Sequence, residues 1–537
     1  MGSIEVADRK SHKGRTGAGG PVPTPNEKLA SSLAELARVL GDGRVRRVLR
    51  SAELSRTHRE RLMRNGFLQR ATKGWYFAAD PEALQGDSTR WYGCYWEFCA
   101  RYCEHRFGES WHLSAEGSLL RHAGVTTIPD QVVVRSRGAS HHVVNLPGNT
   151  SLLHLVATDA AEPADVMLDD DGIRLLSIDV ALVRASERFF EAHEVAVMAV
   201  LGQMGDHGPL LRRLLDGAHT TIAGRLAGAF RAAGRADVAD EVVQAMRSAG
   251  HDTRETCPFG GTAPTWSPRA AEHPAAARLR LMWDRFRSVV VHTMPRAHGL
   301  PADIVAYLAA VDDSYIQDAY HSLSIEGYRV SPEFVDRVRT GTWNPYADPG
   351  GASTRDAVAA LGYRRTFGQV RAAVEEVVHG ANPAALVRDR HRDWYRLLFG
   401  PSVELGLLAA GDLEGYRRRP VYLSGSRHVP MRWEAVPEAM ETLFELLDEE
   451  AEPSVRAVLG HFCFAYIHPY PDGNGRLARF IMNVMLASGG YSWTVVRVED
   501  RQAYMEALEH ASVQQTIEPF AEFIAEIIAS AESGAGR

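Results

Sequence analysis

One stretch restricts this chain more than any other: VRAVLGHFCFAYIHPYPDGNGRLARFIMNVMLASGG, residues 455 to 490. Its first part is apolar on most faces at helical spacing, which predicts a buried helix ending near His468, where Pro469 and Pro471 stop it. Asp-Gly-Asn-Gly then reads as a loop. The residues after it predict a second helix, opening near Gly475 and closing at Gly489 and Gly490. A glycine loop feeding a helix N-terminus turns successive backbone N–H groups toward one point, where the helix dipole adds partial positive charge. Such a loop is an anion cradle. Arg476 and Arg479, three apart, are neighbours on one helix face, and their planar guanidiniums grip phosphate oxygens bidentately. Asp472 is a hard oxygen ligand suited to a Mg²⁺ that bridges phosphates. His468 has a side chain whose free pKa lies near about 6.5, suited to taking a proton from an attacking hydroxyl. The set reads as nucleotide transfer to an alcohol.

Taken singly, each element has a structural reading: Asn-Gly and Asp-Gly are common turn dipeptides, and an arginine at a helix start is often a solvated face. Together at this spacing they match HxFx(D/E)GNGRxxR, the motif of the Fic family, and the C-terminal half resembles Fic-domain nucleotidyltransferases. Tyr470 stands where the motif has Phe, keeping the ring and adding a hydroxyl that must find a partner. The resemblance covers roughly residues 310 to 530. GDLEGYRRRPVYLSGSRHVPM (411 to 431) is similar to the family's helix end, Gly-Tyr-Arg turn and β-hairpin flap, which in the family holds the target segment as an added strand. RQAYMEAL (501 to 508) resembles the stretch whose tyrosine, here Tyr504, lines the base pocket.

The resemblance implies His468 as general base, Asp472 as Mg²⁺ ligand, Gly473, Asn474 and Gly475 as the anion hole, and Arg476 and Arg479 as phosphate ligands. Because the loop reads Gly-Asn-Gly-Arg, it is similar to AMP-transferring members and not to the phosphorylating Doc-type toxins. The implied reaction moves AMP from ATP, with Mg²⁺, to a Ser, Thr or Tyr hydroxyl of a target protein and of the chain itself. SLSIEG, Ser322 to Gly327, resembles the family's inhibitory motif (S/T)xxxE(G/N). Its position before the catalytic stretch implies an intramolecular inhibitor, in which Glu326 pairs with Arg479 and denies it to the γ-phosphate. His461, two helical turns before His468, raises a metal phosphohydrolase instead, but no HD pair or HxxxH accompanies the loop, so a buried histidine satisfied by hydrogen bonds is favoured. Cys94, Cys99 and Cys103 lack a CxxC pair and read as small buried hydrophobes on a helix, not a zinc site.

At 537 residues the chain exceeds the roughly 250 to 300 at which single cores stop growing, so it is multidomain. Charge divides it further. Residues 1 to 80 hold 16 Lys and Arg against 8 Asp and Glu, leaving that segment at +8 and the remainder at −15. A basic end on an acidic body suggests a polyanion partner, duplex DNA above all. Residues 1–27 predict a disordered tail, and 28–80 predict a winged helix-turn-helix: helices, then GFLQRATKGWYF as a hairpin. LSRTHRERLMRNG is the expected recognition helix, N-capped by Ser55, with Arg56, Arg59, Arg61 and Arg64 exposed, Leu62 and Met63 turned to the core, and Lys73 on the wing.

Residues 28 to about 150 resemble AbiEi-type antitoxins and related bacterial regulators, on Gly66, Leu68, Arg70, Gly74 and Tyr76 and on WHLSAEGSLLRHAGVTTIPDQVVVRSR. That resemblance implies DNA binding, with protein docking the other use of a winged helix. An AbiEi-like α/β and helical region is expected over 81–255, a linker over 256–275, a helical segment with the inhibitory motif over 276–345, and an all-α Fic core with its flap over 346–530. No apolar run approaches the roughly 20 residues of a membrane span, and a cytoplasmic protein is the default. A homo-oligomer stays open. Two rival functions stay open as well: a DNA-binding regulator whose Fic domain modifies itself or senses nucleotide, and a Fic transferase using another nucleotide.

Overall fold

The computed structural model describes residues 24–41, 47–81, 89–158, 161–260, 272–343 and 354–535. Most of the tail expected at 1–27 and of the linker expected at 256–275 lies outside them. The chain divides into two compact units, Met1–Arg90 and Trp91–Arg537.

In the first unit, α1 (Pro25–Leu40) starts at Thr24, whose hydroxyl accepts from the Glu27 N–H while the Glu27 carboxylate accepts from the Thr24 N–H. This reciprocal cap satisfies two donors that a helix start leaves open. Strand β1 (Val48–Arg50), helix α2 (Arg56–Arg64) and the hairpin β2 (Leu68–Thr72) and β3 (Trp75–Ala78) follow, giving an antiparallel sheet of order β1-β3-β2. Ser55 caps α2 through the His58 N–H. The expected basic face needs correction at two arginines. Arg59 donates to the carbonyls of Ser51 and Leu54 at 2.7 and 3.1 Å and lies over the Tyr76 ring, and Arg61 donates to Lys28 O and Ser32 Oγ at 2.9 and 2.8 Å. Both are drawn inward by these carbonyl and hydroxyl oxygens, of which Lys28 O also accepts from the Ser32 hydroxyl. Arg64 and Lys73 are exposed, as is Arg56, which pairs with Glu60 at 2.6 Å. Met63 is 37% exposed and not in the core, since α2 turns only Leu62 fully inward.

The second unit begins with α3 (Tyr95–Phe107), which buries Cys99 and Cys103. Around α4 (Ala115–His122), strands β4 (Trp111–Leu113), β5 (Gln131–Ser136), β6 (His142–Leu146) and β7 (Thr150–Val156) form a sheet of order β4-β5-β7-β6, parallel between β5 and β7. A two-stranded ribbon, β8 (Val166–Leu168) and β9 (Arg174–Leu176), and six helices between Ile178 and Ser248 complete this region.

From residue 272 to 535 every regular element among the described residues is helical. The helices that matter for the site are α5 (Pro274–Thr293), α6 (Ile304–Ile325), α7 (Thr354–Val378), α8 (Pro383–Glu404), α9 (Val436–Glu449), α10 (Pro453–Ile467), α11 (Asn474–Ala487), α12 (Arg501–Glu509) and α13 (Glu518–Ala535). One hydrophobic core runs from Ala115 to Ile528, so the α/β region and the helical half share an interior. Arg278 on α5, 4% exposed, ties them: it donates to Gly124 O at 2.9 Å and to Tyr466 Oη at 2.6 Å.

Within 411–431, expected to hold a helix end, a turn and a β-hairpin flap, the chain turns once beyond Arg417, with the Ser426 N–H on Leu423 O, and contains no paired strands. Its backbone bonds to the α/β region instead. The Ile128 N–H donates to Arg427 O at 2.9 Å, and Arg427 Nε returns a bond to Ile128 O at 2.9 Å.

Candidate active site

Helix α10 is mostly apolar and buried, and it stops because His468, its C-cap, is left-handed at φ 54° and ψ 60°, ahead of Pro469 and Pro471. A non-glycine residue there carries strain of about 1 to 3 kcal/mol that its surroundings must hold. Arg417 supplies that hold. It is 3% exposed, its Nε donates to His468 O at 2.8 Å, and its own N–H donates to Pro469 O at 2.8 Å. Burial away from water pushes its guanidinium down to about 10.

The loop then closes on Asn474, whose amide accepts from the Tyr470 N–H at 2.9 Å and donates to Tyr470 O at 2.8 Å. Gly473, at φ 79°, starts α11, and a Cβ there would meet Phe399 at 2.8 Å. The side chain of Asp472 is 57% exposed and accepts from the Gly473 N–H at 2.6 Å. Arg476 is fully buried between the rings of Tyr328 and Phe399, at 5.2 and 5.1 Å, and its Nε has no partner. Arg479, 3% exposed, likewise has an unmet Nη1. Two buried guanidiniums with free donors beside a helix start are an incomplete site that an anion would fill. A cavity of about 790 Å³, lined by Asp472, Arg476, Tyr328, Tyr395, Phe399 and Arg417, adjoins the first of them.

Glu326 reaches this loop from α6. The Gly327 N–H bonds to Ser324 O and the Tyr328 N–H to Leu323 O, with Gly327 at φ 84°: a Schellman end, for which glycine is the favoured residue. This end aims Glu326 at the loop and lays Tyr328 over Arg476. Arg479 donates to Ser322 Oγ at 2.9 Å, to Ser322 O at 3.1 Å and to Glu326 Oε1 at 2.8 Å. A Cβ on Gly475 would lie 2.3 Å from Glu326 Oε1, so the carboxylate rests against the glycine of the cradle. Burial pushes the Glu326 carboxyl up, but Arg479 and Arg476 outweigh it and hold the group below the usual carboxylate range.

Nine of the residues predicted from sequence, His468, Asp472, Gly473, Asn474, Gly475, Arg476, Arg479, Ser322 and Glu326, thus meet at one loop. Tyr504 is 2% exposed, and its hydroxyl sits 2.9 Å from His461 Nε2, while the His461 ring stacks on Phe520. That is the structural reading of His461. The Tyr470 hydroxyl, expected to find a partner, has none; its ring stacks on Tyr395 at 3.9 Å. Arg417 and Tyr328 are the residues that sequence reasoning passed over.

Burial holds His468, His391 and His154 down at about 4, and His428 and His461 at about 3. These imidazoles are neutral in the fold and protonate near about 6.5 once unfolded. Unfolding therefore takes up protons below pH about 6.5, and the stability held above that value is lost as pH falls toward about 4. Thermal melts between pH 7 and 4 should show the midpoint dropping steeply; a flat profile would mean that these rings are not buried.

Residues 385–486 match the model of the Fic/DOC family. The chain is 29% identical over 230 residues to Protein adenylyltransferase Fic of Nematostella vectensis, a match covering 42% of this chain and 50% of that protein. It is 34% identical over 115 residues to the protein of the same name from Drosophila willistoni, covering 21% and 22%. The chain spans half or less of the length of these curated relatives. Among solved structures, Fic-1 of C. elegans aligns at 17% identity over 64% of this chain and 97% of that one, with a TM-score of 0.36. Among the described residues, no helix is long and apolar enough to cross a membrane.

Proposed function

We propose that this chain is a protein adenylyltransferase, transferring AMP from ATP to a hydroxyl of a target protein and of itself, with Glu326 as its inhibitor. The observation that carries the reading is the convergence on one loop of a neutral histidine, an exposed aspartate, a helix N-terminus and two buried arginines with free donors. His468 takes the proton as the target oxygen attacks the α-phosphorus; the bond to pyrophosphate breaks, and pyrophosphate leaves with that electron pair. N–H groups at the start of α11 hold the α-phosphate oxygens, and Arg476 and Arg479 hold the rest of the triphosphate. The side chain of Asp472, 57% exposed at the loop, is the carboxylate that would take a metal, and among the described residues no group of three or more His, Cys, Asp or Glu could hold one by itself. That fits Mg²⁺, which keeps waters and takes phosphate oxygens alongside one carboxylate, and which when bound neutralises charge on the leaving group.

The test is labelling with ATP carrying label at either the α- or the γ-phosphate. Label from the α-position alone, on the chain itself, is expected. Label from the γ-position, or none even with Glu326→Gly, overturns the reading.

For the first unit we propose duplex DNA binding by a winged helix, supported by the β1-β3-β2 sheet beside α2 and by exposed Arg56, Arg64 and Lys73. Arg59 and Arg61 are spent on the fold. Binding should weaken steeply with salt, and Arg64→Ala and Lys73→Ala should each flatten the log-log slope by about 0.9. A protein that shows no affinity for duplex at low salt has a docking module there instead.

A further inference from the structure

A second cavity, of about 430 Å³, lies where β4, the end of β5 and the β8–β9 ribbon meet. His112 on β4 and Arg135 on β5 are direct cross-strand partners, so their side chains leave the sheet side by side on one face. Arg174 lines the same space from β9, and Arg137, Ser110, Ser136 and the carboxylates of Glu109 and Glu162 complete its polar lining.

Two groups there are unmet in complementary ways. His112 is 6% exposed, and its Nδ1 lies 2.7 Å from the Leu113 carbonyl, which makes Nδ1 the donor and leaves Nε2 a bare acceptor without a partner. Burial, helped by Arg184 and Arg135, keeps the ring neutral, so Nε2 keeps its lone pair. Arg174 has the opposite need. Its Nε–H is buried without an acceptor, and the carboxylates of Glu104 and Glu109 stand 3.7 Å from its guanidinium, beyond hydrogen-bond reach. Native interiors leave few such groups unmet, and an unmet donor and an unmet acceptor on two residues that line one cavity point to a ligand that carries both.

We infer that this cavity binds a small phosphate ester bearing free hydroxyls, of sugar-phosphate or mononucleotide size. The guanidiniums of Arg135, Arg137 and Arg174 suit the phosphate. His112 Nε2 accepts from a ligand hydroxyl; facing a fully deprotonated oxyanion it would meet only another acceptor. The volume falls within the roughly 300 to 1,000 Å³ of small-ligand sites. Nothing in this inference depends on the transfer reaction.

Ribose 5-phosphate, titrated into the full chain by calorimetry, should bind the wild type. Arg174→Gln should weaken it about tenfold or more, as for loss of a bond from a charged donor. His112→Phe, which keeps a ring but removes the acceptor, should weaken ribose 5-phosphate by about two- to tenfold and leave inorganic phosphate unchanged. Arg135→Gln serves as the second anion variant should Arg174→Gln fail to fold, judged by its melt. No binding of ribose 5-phosphate to the wild type overturns the inference. Unchanged affinity in the folded arginine variants also overturns it, because the ligand then sits elsewhere, and equal weakening of both probes by His112→Phe overturns the hydroxyl assignment.

Discussion

His468→Ala should lower the proposed AMP transfer by about 10² to 10⁴ while the protein stays folded and still binds ATP, the usual cost of losing a positioned general base. The ring makes one contact of note, its Nδ1 3.3 Å from Ala465 O, so little of the fold depends on it. Alanine keeps a Cβ at the same left-handed position, and Arg417 still clamps the carbonyl of residue 468. Burial keeps the imidazole neutral down to about pH 4, so the wild-type rate should not fall through the pH 6 to 7 range in which a solvated histidine would protonate. Rates from α-labelled ATP at several pH values, beside a thermal melt of each protein, make the check. Wild-type labelling by folded His468→Ala would remove the histidine from the chemistry.

Glu326→Gly should raise self-labelling by about 5- to 150-fold, the range that a coupling of about 1 to 3 kcal/mol produces. Arg479 keeps its bonds to Ser322 in that variant and gains a free face for the γ-phosphate. Without its carboxylate partner, an arginine 3% exposed is left as an uncompensated buried charge, which typically destabilises a protein by about 3 to 5 kcal/mol. The side chain of Glu326 is 23% exposed, which places the loss at or below the lower end. The apo variant should therefore melt lower than wild type, and ATP with Mg²⁺ should recover more of the melting temperature in the variant than in wild type. Adding Arg479→Ala should abolish the gain in labelling. If folded Glu326→Gly labels no faster than wild type across ATP concentrations, the carboxylate is not the brake.

The loop and its two flanking helices are legible from residues 455 to 490 because prolines, glycines and an apolar period leave few conformations open. The contact between Glu326 and Arg479 is legible only through a motif, since 153 residues separate the partners. Other features leave no mark on the sequence. Arg59, Arg61 and Arg417 all donate to backbone carbonyls, which every residue carries, so nothing in the string distinguishes them from the solvated Arg64. The excursion at 417–432 has the composition of a hairpin, yet its Arg427 carbonyl is taken by the Ile128 N–H, about three hundred residues away in sequence, and its Arg427 N–H by the Glu509 carboxylate, so tertiary pairing overrides the local preference.

Ser322 and Glu326 grip one guanidinium from the last turn of α6, and that makes the contact a matter of helical phase as well as of charge. Each residue of an α-helix turns the chain by about 100° and advances it about 1.5 Å. Asp318, one turn earlier, accepts the Tyr363 hydroxyl at 2.6 Å and fixes the rotation of α6 against α7. One residue inserted between Asp318 and Ser322 would swing both gripping side chains about 100° around the axis with every atom of the motif still in the chain. Arg479 would lose its carboxylate to a change of angle alone.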